Sequence, residues 1–116
     1  MTKFILLSII VTATVYNADP KQCNADYLTT ASLKKIDRVN PSKHRWIAVS
    51  RDLEKLGYTF GTEVIVECCC EYDGVWAVED RMNKRYTKRI DFLVDNHIKL
   101  GKWDSVRIRK YLKEIR

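Results

Sequence analysis

The sequence predicts a small all-β domain closed into a six-stranded barrel. Three observations carry this expectation. Short runs rich in β-branched and aromatic residues recur along the chain, with turn-forming residues between them. Almost no segment shows the periodicity of an amphipathic helix. A chain of 116 residues holds one hydrophobic core and leaves no room for a second.

The elements follow in order. Val11-Thr12-Ala13-Thr14-Val15-Tyr16 reads as a strand, β-branched at most positions. Residues 17–45 are polar and irregular, with Asn17, Asp19, Pro20, Asn24, Asp26, Asn40 and Pro41 as turn formers. A loop of this length in a small domain is a candidate for binding work. Trp46-Ile47-Ala48-Val49 reads as a buried strand, and Ser50 as the cap of one helical turn that Gly57 stops. Residues 63–68 and 75–80 read as strands joined by a turn at Asp73-Gly74. Residues 89–94 and 105–108 complete the set, and residues 111–116 form a charged tail. Trp46, Trp76 and Trp103 each lie in or beside an apolar strand, which suits core positions.

Composition excludes several classes. Hydrophobic residues make up 46% and charged residues 31%, which rules out a disordered chain. No apolar run is long enough for a spanning helix, so no transmembrane anchor is expected. The net charge of +6 fits either a merely solvated basic surface or anionic partners such as nucleic acid, acidic lipid or an anionic wall polymer. Nucleic acid is disfavoured, because no recognition helix and no aromatic ribonucleoprotein motif is present.

Residues 1–18 also fit a secretory signal. Lys3 precedes an apolar stretch over 4–15, and Ala13 and Ala18 are candidate cleavage positions. The two readings compete, because the end of that segment is the first strand. Export to the envelope is one expectation, and an intracellular, phage-encoded protein is the other. Cys23, Cys68, Cys69 and Cys70 suggest at least one disulfide, with Cys23 reaching one of the other three. The run of three has no zinc-knuckle spacing, and His44 and His97 are isolated, so no metal is expected. No Gly-rich phosphate loop and no Ser-His-Asp order is present, so no cofactor is expected.

The residues left for chemistry are carboxylates and a basic cluster. Asp80 ends one predicted strand, Asp91 lies within the next, and Asp52 sits just after Val49. Asp91 points away from Ile90 and Phe92, onto the face opposite the core. If that face lines a groove, burial raises its pKa and suits it to act as an acid. Between the two carboxylates lie Arg81, Asn83, Lys84, Arg85, Tyr86, Lys88 and Arg89: a solvated basic loop, cations paired with nearby Asp and Glu, or a cationic rim whose one aromatic ring could stack on a sugar or a base.

Over residues 11–110 the chain resembles the three-aspartate (3D) domain, a double-psi β-barrel. That family is related to rare-lipoprotein-A-like domains and to the catalytic barrel of membrane-bound lytic transglycosylase A. Ala13-Thr14-Val15-Tyr16 is similar to the family's first strand, and Leu28-Thr29-Thr30-Ala31-Ser32 to its Thr-Ala segment. The first aspartate matches Asp52 within Trp46-Ile47-Ala48-Val49-Ser50-Arg51-Asp52-Leu53, and Phe60-Gly61-Thr62-Glu63-Val64 is similar to the turn into the next strand. The most specific stretch is Val78-Glu79-Asp80-Arg81-Met82-Asn83-Lys84-Arg85, closed by Arg89-Ile90-Asp91-Phe92, which carries the second and third aspartates. Many relatives are Gly-rich where this chain has Met82-Asn83-Lys84-Arg85.

The resemblance implies action on peptidoglycan glycan strands by a lytic transglycosylase-like step. Asp91 would be the acid/base, Asp80 would hold and tune the site, and Asp52 would correspond to the first aspartate. Thr30 and the rim residues would contact substrate. The alternative is a non-catalytic glycan-binding module on the same fold. A monomer without cofactor is expected in either case.

Overall fold

The computed structural model describes residues 8–19, 26–67 and 70–111. Six strands form a closed barrel: β1 (Ile9–Tyr16), β2 (Trp46–Val49), β3 (Glu63–Glu67), β4 (Gly74–Arg81), β5 (Arg89–Leu93) and β6 (Lys102–Lys110). A short helix, α1 (Arg51–Lys55), and two 3-10 turns, Pro41–His44 and Cys70–Tyr72, lie between strands. Around the barrel the order is β1-β5-β2-β4-β3-β6, and β6 pairs with β1 to close it. The β1–β5 and β2–β4 pairs are parallel and the others antiparallel. These two parallel pairs, joined through the antiparallel β2–β5 contact, make a closed six-stranded mixed barrel, the small all-β barrel expected from the sequence.

Alternation fills the interior. Val11 and Ala13 of β1, Ile47 and Val49 of β2, Val64 and Val66 of β3, Trp76 and Val78 of β4, Ile90 and Phe92 of β5, and Val106 and Ile108 of β6 all belong to one buried core. Phe92 is its largest fully buried side chain. Its ring lies 5.0 Å from that of Tyr72 and 4.7 Å from that of Trp76, and Trp103 meets it edge-on at 6.2 Å. Truncating Phe92 to Ala would cost about 3–5 kcal/mol, from lost burial plus the cavity left behind.

A second, smaller cluster lies outside the barrel wall. Ala18, Ile36 and Leu93 are buried there, with Tyr16, Leu28 and Trp46 packed against them. Leu93 is on the outer face of β5, two residues beyond Asp91. The segment after residue 26 is thereby fastened across β1, β5 and β2, with a single bridge between Thr29 and Lys35 as its own regular pairing. So part of the polar stretch between β1 and β2 is ordered by apolar contacts on the outside of the sheet. Trp46 belongs to this outer cluster rather than to the barrel core, and stacks on His44 at 4.0 Å.

Several local expectations are corrected. The reversal between β3 and β4 is longer than a turn at Asp73-Gly74. It runs through the 3-10 turn, and Gly74 is the first residue of β4, paired with Val66. Its φ of +124° and its closeness to the Arg45 guanidinium favour the absence of a side chain. Ser50 does not cap α1 with its side chain; its Oγ accepts the Arg89 backbone N–H at 3.0 Å, tying α1 to β5. β6 extends well beyond 105–108 at both ends, and Ser105 takes a left-handed φ of 60° where the β1–β6 register shifts.

β1 pairs on both sides, with β5 over Thr12–Tyr16 and with β6 from Ile9. Cleavage after Ala13 or Ala18 would therefore remove most or all of this strand and open the barrel. Residues 1–7, at the head of the signal-like segment, and residues 112–116 of the tail lie outside the described residues. So do Cys23, Cys68 and Cys69, and with them the cysteine pairing.

Candidate functional site

The site grows from one row of residues across four neighbouring strands. Thr14 on β1 is paired with Asp91 on β5, Asp91 with Ala48 on β2, and Ala48 with Asp80 on β4. Directly paired residues share a face of the sheet. Ile47 and Val49 point into the core, so Ala48 and its partners point outward. Asp91 reaches the outer face by simple alternation with Ile90 and Phe92.

Asp80 does not. Strict alternation after Trp76 and Val78 would turn it inward. The register shifts instead: Ile47 pairs with Val78, and Ala48 with Asp80, so Glu79 is an extra residue on β4. This bulge rotates Asp80 onto the outer face beside Ala48. Two strand spacings separate the two aspartates, roughly 9–10 Å between Cα atoms. The small Ala48 side chain lies between them.

The row forms the floor of an open cleft of about 880 Å³. Asp26, Tyr27, Thr29, Thr30, Ala31 and Ile36 form one wall, and Arg81, Met82, Asn83, Arg85, Tyr86 and Arg89 form the other. Asp91 is half-buried and accepts a hydrogen bond from the Thr14 hydroxyl. Burial pushes its carboxyl above the usual range; the Thr14 hydroxyl and Arg89 pull it down, and Asp80 adds a smaller upward push. Asp80 is held by three donors. Its Oδ1 accepts the backbone N–H groups of Ala31 at 3.1 Å and Arg81 at 2.9 Å, and its Oδ2 accepts the Tyr16 hydroxyl at 3.0 Å.

Glu79 anchors the wall that supplies the Ala31 N–H. Its side chain is 3% exposed and pairs with Lys34 at 2.7 Å, and its carbonyl accepts the Ser32 N–H at 3.1 Å. Thr30, also buried, closes the turn between these contacts. Its Oγ1 accepts the Lys34 N–H at 3.0 Å and meets Ser32 Oγ at 2.8 Å. Thr30 lines the cleft, yet its hydroxyl is engaged within the loop.

The rim divides. Arg81 pairs with Glu54 at 2.7 Å and lies over Phe60. Asn83 organises the turn that follows, its Oδ1 accepting the Arg85 N–H at 3.0 Å. Lys84 is exposed and stands outside the cleft lining. Tyr86 is not a free stacking platform, because the guanidiniums of Arg85 and Arg89 both lie over its ring at 4.8 Å. The ring quadrupole attracts both guanidiniums, so a ligand would have to displace them to stack there.

Asp52 does not join the cleft. It borders a separate small hollow with Ile9, Ile10, Leu53, Leu56 and Lys88, and its Oδ2 accepts the Lys88 backbone N–H at 2.9 Å. Burial pushes its carboxyl up, but the Ser50 hydroxyl and backbone N–H groups, Lys88 first, outweigh it and leave the pKa below the ordinary value. Its place here is to fasten the start of α1 to the segment entering β5.

Sequence reasoning missed Thr14 and Tyr16 as site residues. Both lie on the outer, polar side of β1's alternation, which was the available signal. It also missed Arg51 on the rim, one residue after Ser50, and the buried Glu79. Among the described residues no group of three His, Cys, Asp or Glu side chains gathers as a metal would require, and no helix is long and apolar enough to cross a membrane. The chain matches no family model, no curated protein and no solved structure.

Proposed function

We propose that the chain acts on peptidoglycan glycan strands, cleaving them by a lytic transglycosylase-like step with Asp91 as acid/base. The observation that carries this reading is the Asp91 carboxyl. It is half-buried on the floor of an open cleft, its pKa pushed up by that burial, with a second carboxylate fixed two strands away.

The chemistry needs one group that gives a proton and takes one back. Protonated Asp91 donates to the glycosidic oxygen as the C1–O4 bond breaks. The Asp91 carboxylate then accepts the proton of the muramic C6 hydroxyl as that oxygen closes on C1. The product is a 1,6-anhydro sugar, and Asp91 ends protonated without consumption of water. Asp80 supports this role as a positioning group whose oxygens are already engaged by Tyr16, Ala31 and Arg81. Its negative charge favours a neutral Asp91 at the start and a developing positive charge on the sugar. The resemblance of the Asp80 and Asp91 segments to the three-aspartate domain points the same way. Action at the bacterial envelope fits this substrate, reached by export or, for a phage-encoded chain, from within the host.

The test is mass spectrometry of purified peptidoglycan incubated with the protein and with Asp91→Asn. Anhydromuramyl products from the parent alone are expected. Products with reducing ends would replace the lytic step by hydrolysis, with Asp80 as the second carboxylate. Retained wall binding without products from either protein would make the chain a glycan-binding module.

A further inference from the structure

The cleft holds more cationic than anionic side chains, and the cations are unequal. Arg81 is neutralised by Glu54. Arg51, Arg85 and Arg89 also line the cleft, and among the described residues none of them forms an ion pair with a carboxylate. Arg51 reaches only the Met82 carbonyl, at 3.4 Å. Arg85 and Arg89 are held in place by the Tyr86 ring, and Arg85 also donates to the Tyr86 hydroxyl at 2.7 Å. The Nε of Arg89 is buried and has no hydrogen-bond partner. A buried N–H of a charged group costs free energy unless something accepts from it.

That nitrogen is sealed from solvent; an acceptor from outside the chain would meet the part of Arg89 that lines the cleft, together with Arg51 and Arg85. Its chemistry is constrained by the floor. Asp80 and Asp91 lie in the same cleft, so a densely charged polyanion such as a nucleic acid would meet repulsion there. A mostly neutral, hydroxyl-rich chain carrying isolated single charges would not. Planar guanidiniums also match the two oxygens of a carboxylate.

The geometry points to a carboxylate subsite made by Arg51, Arg85 and Arg89, which makes acidic saccharides the ligand class of this cleft. This inference rests on the reading that the cleft takes a glycan, and it adds which substituent the glycan carries. Arg89 is the anchor, Arg85 and Tyr86 hold its plane, and Arg51 closes the subsite from the start of α1.

The experiment is calorimetric titration of the full chain with a uronate-containing tetrasaccharide and with neutral chitotetraose. The acidic saccharide is expected to bind about tenfold tighter or more at low salt. The preference should shrink with added salt, and in Arg89→Gln it should fall to within about twofold. Arg51→Gln, on an exposed side chain, gives the same reading if Arg89→Gln fails to fold. Equal affinity for the two saccharides overturns the subsite, as does a preference that survives both substitutions. Displacement of the acidic saccharide by equimolar inorganic phosphate also overturns it, by reducing the cations to a general anion patch. Cleavage of glycan strands without any acid preference removes the subsite and leaves the proposed activity standing. Acid-selective binding through Arg51 and Arg89 without cleavage of any glycan does the reverse.

Discussion

Asp80 and Asp91 stand on either side of Ala48, each paired with it across the sheet, one on a parallel neighbour and one on an antiparallel neighbour. Ala48 thus sets the spacing of the two carboxylates. A larger residue there would fill the floor between them. Ala48→Leu is expected to cost 1–3 kcal/mol by overpacking a position only 3% exposed, and to abolish glycan binding. Denaturant unfolding and saccharide titration read the two effects separately.

The raised pKa of Asp91 gives a pH dependence with a definite sign. The acid must start protonated, so cleavage should fall as pH rises through its folded value. The same shift bears on stability. The folded state holds this proton more tightly than the unfolded chain, so stability is lost as pH rises through the folded pKa. Asp91→Asn should therefore melt higher than the parent at neutral pH and converge with it in acid. Thermal melts across pH check this without any substrate.

Thr14 pulls the Asp91 pKa down through its hydroxyl. Thr14→Val keeps the β-branched shape that the strand favours and removes that donor. The alkaline limb of the activity profile should move to higher pH. The stability cost should be about 1 kcal/mol. Carbon-13 NMR titration of the Asp91 carboxyl gives the shift directly.

Asp52 should behave as a structural residue. Asp52→Asn is expected to lower stability by about 1 kcal/mol, since the bond to the Lys88 N–H survives in weaker form, and to leave the chemical step intact. The depressed pKa of Asp52 fixes the sign of its pH term. Its contribution is present above the unfolded pKa and is lost as pH falls through the folded one. The parent and Asp52→Asn should therefore converge in stability at low pH, as urea titrations would show.

The Lys34–Glu79 pair is expected to hold the loop wall that presents the Ala31 N–H to Asp80. Lys34→Met strands a buried carboxylate. A fully buried pair loses about 3–5 kcal/mol on removal of one partner, and the exposure of Lys34 brings the expected cost nearer 1–2 kcal/mol. Glu79→Gln in the Lys34→Met background should recover part of that loss. A double-mutant cycle by urea unfolding measures the coupling.

Much of the fold is legible in the sequence, because a strand's inward and outward residues are written as alternation. Val64 and Val66, or Ile90 and Phe92 around Asp91, identify both the strand and its buried face. The site is legible only in part. Asp91 follows the alternation and is placed correctly by it. Asp80 reaches the cleft through an extra residue at Glu79, and nothing local distinguishes a bulge from a regular strand there. The wall over residues 26–36 looks like a polar loop, since only Leu28 and Ile36 pack against the sheet, on partners distant in the chain. Tyr86 looks like a free ring until Arg85 and Arg89 are seen to lie over it. For Asp80 and the wall the missing information is a contact made across the fold, whereas for Tyr86 it is how two near neighbours in the chain, Arg85 and Arg89, place their guanidiniums.

The placement of β1 has a kinetic consequence. Val11 pairs with Val106, and Thr14 with Asp91. β1 is thus made well before either of its partners, and an apolar, β-branched ribbon waits with both edges open until β5 and β6 follow it. Closing such distant pairs is slow compared with local hairpin formation. During that interval the segment from Ile9 to Tyr16 is the part of the chain most prone to pair with a second copy of itself. Yield on expression should respond to chaperones and growth temperature more than the stability of the finished barrel would suggest.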